Sequence, residues 1–135
     1  MNISNYYRNM IINHMLRGEA FSPPATVYLA LFTSNTGLQT NSPTGEVSAS
    51  GYVRKAISLS EATTGNSANS GDIEWDTAVA AWGTVYQAAI VDHETNTNWG
   101  TNVNVLMWND LEESKTVNIG DIFRFSAGNA VVTFE

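Results

Sequence analysis

Asn118-Ile-Gly-Asp-Ile-Phe-Arg-Phe-Ser-Ala-Gly-Asn-Ala-Val-Val-Thr-Phe134 reads as a turn, a strand, a second turn and a closing strand. Gly120 lets the first turn reach positive φ without steric cost. Residues 122–125 then alternate, with Ile122 and Arg124 on one face and Phe123 and Phe125 on the other. Ala127-Gly128-Asn129 forms the second turn, and Ala130–Phe134 returns as a β-branched and aromatic strand. A hairpin of this kind docks its final strand in a sheet. The stretch therefore predicts a compact all-β module and carries no mark of an enzyme.

Upstream, the same alternation and turn chemistry recur. Thr26–Thr33 and Thr84–Asp92 are apolar on both faces, the pattern of central strands buried on two sides. One sandwich buries one face of each strand, so the second is expected to lie under the helix or a neighbouring subunit. Gly51–Leu59 reads as a strand with Val53, Ile57 and Leu59 pointing one way, and Asp72–Asp76 as a short strand carrying Ile73 and Trp75 inward. Thr77–Trp82 suggests a single helical turn. Val103–Trp108 is a strand, Asp110–Ser114 a turn, and Lys115–Val117 leads into the closing hairpin. Ser34–Ser50, Glu61–Gly71 and His93–Asn102 are polar connections. The sum is an antiparallel β-sandwich, jelly-roll-like, with seven to eight strands.

One segment departs from this pattern. Asn5–Arg17 has helical spacing, with Ser4 as N-cap and Gly18 as the left-handed residue that ends it. Tyr7, Ile11 and Met15 fall four apart on one face, extended by Ile12 and Leu16. This helix either covers the open end of the sandwich or docks as an arm onto a partner, and Tyr7, Ile11 and Met15 are the candidate assembly contacts. The 135 residues make one domain, with residues 1–18 as helix or arm and residues 19–135 as sandwich.

Composition excludes several functions. Charged residues are 14% of the chain, against roughly 25% in ordinary soluble domains. The net charge is −7, and the basic residues are scattered apart from Arg54-Lys55. Counterion release from a phosphate backbone needs several cations on one face, so no nucleic-acid partner is expected. There is no cysteine, hence no disulfide or thiolate metal site, which suits folding in a reducing host cytoplasm. No apolar run approaches the ~18 residues of a membrane span, and the N-terminal order lacks the pattern of a signal peptide. No membrane partner is expected.

Candidate chemistry is sparse. Asp72, Glu74 and Asp76 share a strand face and could meet a Ca²⁺ ion, or serve as a charged edge that discourages strand pairing. Ca²⁺ takes six to eight oxygens from several segments, so no metal is assigned. His14 and His93 are the only histidines, without a nucleophile elbow or a metal-binding pair. Asp110, Glu112 and Glu113 crowd one turn and read as a solvated loop rather than a hydrolytic pair. No catalytic residue and no cofactor is assigned. Among the tryptophans, Trp75 and Trp82 read as core and Trp108 as half-buried. Trp99 lies within Thr97-Asn98-Trp99-Gly100-Thr101-Asn102 and could stack on a sugar or anchor a protein contact, with Asn98 and Asn102 beside it. It could equally cap one end of the fold.

The order of landmarks carries a resemblance. Leu16-Arg17-Gly18 precedes Pro24-Ala-Thr-Val-Tyr-Leu-Ala-Leu-Phe-Thr33, followed by Gly45-Glu-Val47, Gly51-Tyr-Val-Arg-Lys-Ala56, Trp82-Gly-Thr-Val85, Ile90-Val-Asp92, Val117-Asn-Ile-Gly-Asp121 and Phe125-Ser-Ala-Gly128. This resembles a family of small tailed-bacteriophage structural proteins commonly labelled tail fibre proteins, over nearly the whole chain. Where the family pattern leads to a glycine after Asp92, this chain has His93-Glu94-Thr95-Asn96. The resemblance implies a noncatalytic virion protein that acts with other virion proteins. No internal repeat or heptad is present, so the chain cannot by itself form a long fibre shaft. The expected role is a tail-fibre or tail-appendage component assembled as a homo-oligomer, a trimer above all. The alternatives are a capsid decoration (cement) protein and a carbohydrate-binding module that contacts a host surface glycan.

Overall fold

The computed structural model describes residues 1–134. Its elements in chain order are β1 (Asn2–Ile3), α1 (Asn5–Ile11) continued by a π turn (Ile12–Leu16), β2 (Val27–Phe32), β3 (Lys55–Ile57), β4 (Asn66–Ala68), β5 (Ile73–Glu74), β6 (Gly83–Val91), β7 (Val105–Val117), β8 (Arg124–Phe125) and β9 (Val131–Thr133). Five strands form the main antiparallel sheet in the order β1-β7-β6-β2-β3, and β4-β9 and β5-β8 form two small ones. The fold is the expected all-β, sandwich-like architecture with one N-terminal helix.

The sequence of β2 shows why the main sheet is central. Leu29 and Leu31 face a core containing Ile57, Ile73, Trp75, Trp82, Ile90 and Phe123. Ala30 and Phe32 face a second core of Leu38, Ala89, Val91, Val103 and Val105. The first core lies under the small sheets. The second is closed by the chain's own loops: Leu38, from the polar connection 34–50, and Val103, which directly follows the connection 93–102, are both fully buried. This corrects the expectation that the helix or a neighbouring subunit covers the second face. An isolated leucine in an Asn/Thr/Ser-rich loop has no periodicity to reveal it, yet it fills the centre of that core.

The closing hairpin is also corrected. The strands on either side of Ala127–Asn129 do not pair with each other: Ile73 is opposite Phe125, and Asn66 is opposite Thr133. Each returns to a segment some sixty residues earlier, and β4 lies inside the 61–71 stretch read as a connection. The turn itself is real, with Gly128 donating to the Asn69 carbonyl and Asn129 to that of Ser126. Asn69 binds the stretch further, its Oδ1 accepting from Ala130 N at 2.9 Å and its Nδ2 donating to Ser126 O at 3.0 Å.

Other boundaries move for local reasons. The expected turn at Asp110–Ser114 is a wide bulge inside one 13-residue strand, because Val85 pairs with Lys115 while Gln87 already pairs with Asp110. A bulge leaves extra residues unpaired and bends the strand without ending it. The strand expected over Gly51–Leu59 contracts to Lys55–Ile57, leaving Val53 and Leu59 exposed. Thr77–Trp82 forms bends, not a helical turn.

The helix begins as its sequence dictates. Ser4 Oγ accepts from Tyr7 N at 3.1 Å and donates to the Val105 carbonyl. Ser4 N donates to Leu106 O at 3.0 Å, which joins the cap directly to β7. The C-terminal end differs from the expected α-helix. Residues 12–16 widen into a π turn closed by Arg17 N donating to Ile12 O, and Gly18 follows at φ 71°. A π turn holds more residues than an α turn, so an i, i+4 stripe does not carry across it.

Candidate functional site

The expected helix stripe divides at the π turn. Tyr7 and Ile11 are half-buried, and Tyr6 and Tyr7 pack on the first core. Met15 is 70% exposed, Leu16 79% and Ile12 48%. The helix is thus both anchored and projecting: its first turn is fastened to β7, and its tip presents three apolar side chains to solvent.

Of the two positions read from its loop, exposed platform or cap, Trp99 takes the cap. The Arg54 guanidinium lies 4.9 Å from the centre of its ring, and Phe32 packs against it with centroids 6.3 Å apart. Trp99 thereby caps the second core. Asn98 and Asn102 do not flank its ring in a binding wall. They close a tight turn in which the Asn98 carbonyl accepts from Asn102 N at 3.0 Å and from Thr101 N at 3.2 Å. Beside Trp99 runs a cleft of about 440 Å³, walled by Thr44, Tyr52, Glu94, Thr95 and Thr97.

At the base of that cleft is a charged clasp that the sequence reading missed. The Arg54 side chain is 3% exposed and Glu46 16%. Arg54 Nε donates to Glu46 Oε2 at 2.7 Å and Nη2 to Oε1 at 2.8 Å, a bidentate pair. Arg54 Nη1 donates to the carbonyls of His93 and Asn96, each at 2.9 Å. His93 Nδ1 in turn accepts from Thr95 N and Asn96 N at 3.1 and 3.0 Å. One guanidinium therefore holds three segments together. The available signal was Glu46 as the sole carboxylate in a long neutral loop, near the sole adjacent pair of cations.

Tyr52 belongs to the same cluster. Its hydroxyl donates to Glu46 Oε2 at 3.2 Å and accepts from Leu31 N at 2.9 Å. Burial, then the Glu46 charge, push its pKa well above the ordinary tyrosine value. The folded pKa exceeds the unfolded one, so this contribution to stability is complete below about pH 10 and is lost as pH rises towards the folded value. Thermal melts from about pH 9 to about pH 11 should show a fall in midpoint that is shallower in Tyr52→Phe. Equal falls in both proteins would assign the alkaline loss to other groups.

The acidic strand is occupied by protein contacts on one side. Asp72 accepts from Ala127 N at 2.8 Å and from Arg124 Nη2 at 3.2 Å. Glu74 and Asp76 are exposed, and among the described residues no three acidic or histidine side chains converge on a cation position. His14 Nδ1 lies 2.8 Å from the Glu19 carbonyl, at the end of the helix. Asp110, Glu112 and Glu113, together with Lys115 and Arg124, line a groove of about 700 Å³ between the β7 bulge and the 123–132 segment. Leu29, Ile57 and Ile90 form its floor.

Compared with known families, residues 2–133 match the family model of the podophage GP4 fiber I protein gp80. The chain belongs to this family. The match runs from β1 to β9, so it includes both cores, the clasp and the helix. No curated protein matches the chain. This fibre-family protein is a structural component of a phage virion, as the resemblance implied, and such a component works in contact with other virion proteins. No helix among its described residues is long and apolar enough to cross a membrane.

Proposed function

We propose that this fibre-family protein acts without catalysis, as a tail-fibre or tail-appendage module that assembles with copies of itself, as a trimer, on the particle. The observation that carries the reading is the helix tip. Ile12, Met15 and Leu16 are exposed together at the end of an element whose start is fixed to β7 by Ser4. Clustered apolar side chains on a polar, charge-poor surface favour contact with protein. The apolar faces of β2 and β6 no longer support assembly, because the chain's own loops cover them. Light scattering at high micromolar concentration should give a trimer for the native chain and a monomer for Met15→Glu with Leu16→Glu. A native chain that stays monomeric throughout overturns the reading.

The fibre description of the family favours a tail position over capsid decoration. The two positions differ in copy number per particle. A host-glycan role for Trp99 has less support: Arg54 covers one face of the ring, and Arg54 and Glu46 are bonded to each other.

A further inference from the structure

A separate cleft, of about 280 Å³, lies where the start of the helix, the connection into β2 and one end of the main sheet meet. The sheet contributes Val27, Leu106 and Asp92, the residue that follows β6. The helix contributes Tyr6 and Tyr7, and the connection contributes Phe21, Pro23 and Pro24. Its volume is close to the roughly 300 Å³ at which small-molecule pockets begin. The walls are stiff. Tyr6 and Tyr7 pack on the first core, and the His14 ring meets Phe21 with centroids 5.8 Å apart. The two prolines fix φ in the connection.

Asp92 is the one charged residue that lines this cleft. It is in none of the ion pairs among the described residues. Its Oδ1 accepts from Asn104 N at 2.6 Å and its Oδ2 from Asn104 Nδ2 at 2.9 Å. Asn104 is held in turn, its Oδ1 accepting from Asn41 Nδ2 at 2.9 Å. These donors are neutral, so the carboxylate is oriented while its charge keeps no counter-charge. Its field reaches the aromatic wall: burial, and then the Asp92 charge, raise the Tyr6 pKa above the ordinary tyrosine value. Aromatic faces and a fixed carboxylate attract the same kind of ligand, a cation. A metal ion would need several oxygen ligands, and Asp92 is the only carboxylate here. A buried sugar would need partners for its hydroxyls, which this mostly aromatic and apolar lining does not supply. Methyl groups suit it.

We infer that this cleft binds a quaternary ammonium group, its methyls against Tyr6, Tyr7 and Phe21 and its charge balanced by Asp92. The site needs one chain only, so it stands or falls apart from the assembly reading. Free choline and phosphocholine esters share this chemistry, and the test separates them.

The native chain, labelled for amide NMR, is titrated with choline chloride at constant ionic strength. The control ligand is the neutral alcohol in which carbon replaces the choline nitrogen. Saturable shifts are expected at Tyr6, Tyr7, Val27 and Asp92, with the neutral alcohol weaker by about tenfold. Asp92→Asn and Phe21→Leu should each weaken choline by a similar factor at an unchanged thermal midpoint. Phe21 lies in a connection without regular structure, so its variant keeps the test valid if Asp92→Asn disturbs the Asn104 bonds. Phosphocholine binding as well as choline would assign the site to the end of an ester, and phosphocholine binding more weakly would assign it to the free solute. Equal affinity for choline and the neutral alcohol would sink the inference. So would shifts centred on Thr95 and Trp99, or no saturable shift at all.

Discussion

Replacing Arg54 with methionine should lower the free energy of unfolding by about 3–5 kcal/mol, the usual cost of breaking a buried ion pair from one side. Methionine keeps much of the length of the arginine stem, so lost packing is minor. The loss comes from Glu46, which is only 16% exposed and would retain a charge with Tyr52 as its remaining donor. The carbonyls of His93 and Asn96 lose their shared donor, and Trp99 loses the cation over its ring. Urea titration measures the effect as a shift in midpoint at unchanged slope. Glu46→Leu added to Arg54→Met should recover part of the loss, because no charge is then stranded. A cost below about 1 kcal/mol would show that the pair behaves like a surface ion pair and that the clasp does not hold the loops.

Trp75→Ala should cost a similar amount, about 3–5 kcal/mol, for a different reason. Trp75 is 1% exposed. It meets Phe123 edge-on with centroids 5.4 Å apart and Phe125 at 6.3 Å. Its Nε1 donates to the Val53 carbonyl at 2.6 Å. The β5-β8 ladder is only two residues long, so this aromatic cluster, more than backbone pairing, holds the small sheet against the main one. Trp75→Phe keeps the ring contact and loses the indole donor, at a cost of about 1–2 kcal/mol. Amide exchange should localise the damage: protection falls first in residues 122–133 and remains in β2 and β6. Uniform loss across the chain would mean that the two layers unfold as one unit and that the cluster is not a separate tie.

The legible parts of the candidate surface were those that repeat at a short period. The start of the helix, its Ser4 cap and its Gly18 exit follow from residues within a few positions of each other. The π turn does not follow, because Ile12–Leu16 keeps the spacing of an α-helix and carries no residue type that marks the widening. Across that turn Met15 separates from Tyr7 and Ile11 and becomes part of an exposed tip. Trp99 is the one tryptophan in a loop of amides and hydroxyls, but what lies on its ring is Arg54, 45 positions earlier in the chain. Asn98 and Asn102 looked like binding amides, and their backbones serve the turn that carries the tryptophan.

The sequence by itself determined the all-β class, the two central strands, the inward Ile73 and Trp75, the turns at Gly120 and Gly128, and the family likeness that the whole-chain match bears out. Each of these rests on side-chain alternation, steric freedom at glycine or the order of local motifs, all of which act over a few residues. The tertiary structure alone decided that β8 and β9 pair with β5 and β4 rather than with each other. It also decided that Leu38 and Val103 complete the second core and that Arg54 binds Glu46 beneath Trp99. Alternation shows that a strand has a face to bury. It does not identify the distant segment that buries it, because that choice is made by the shape, volume and charge of groups brought together only when the chain has folded.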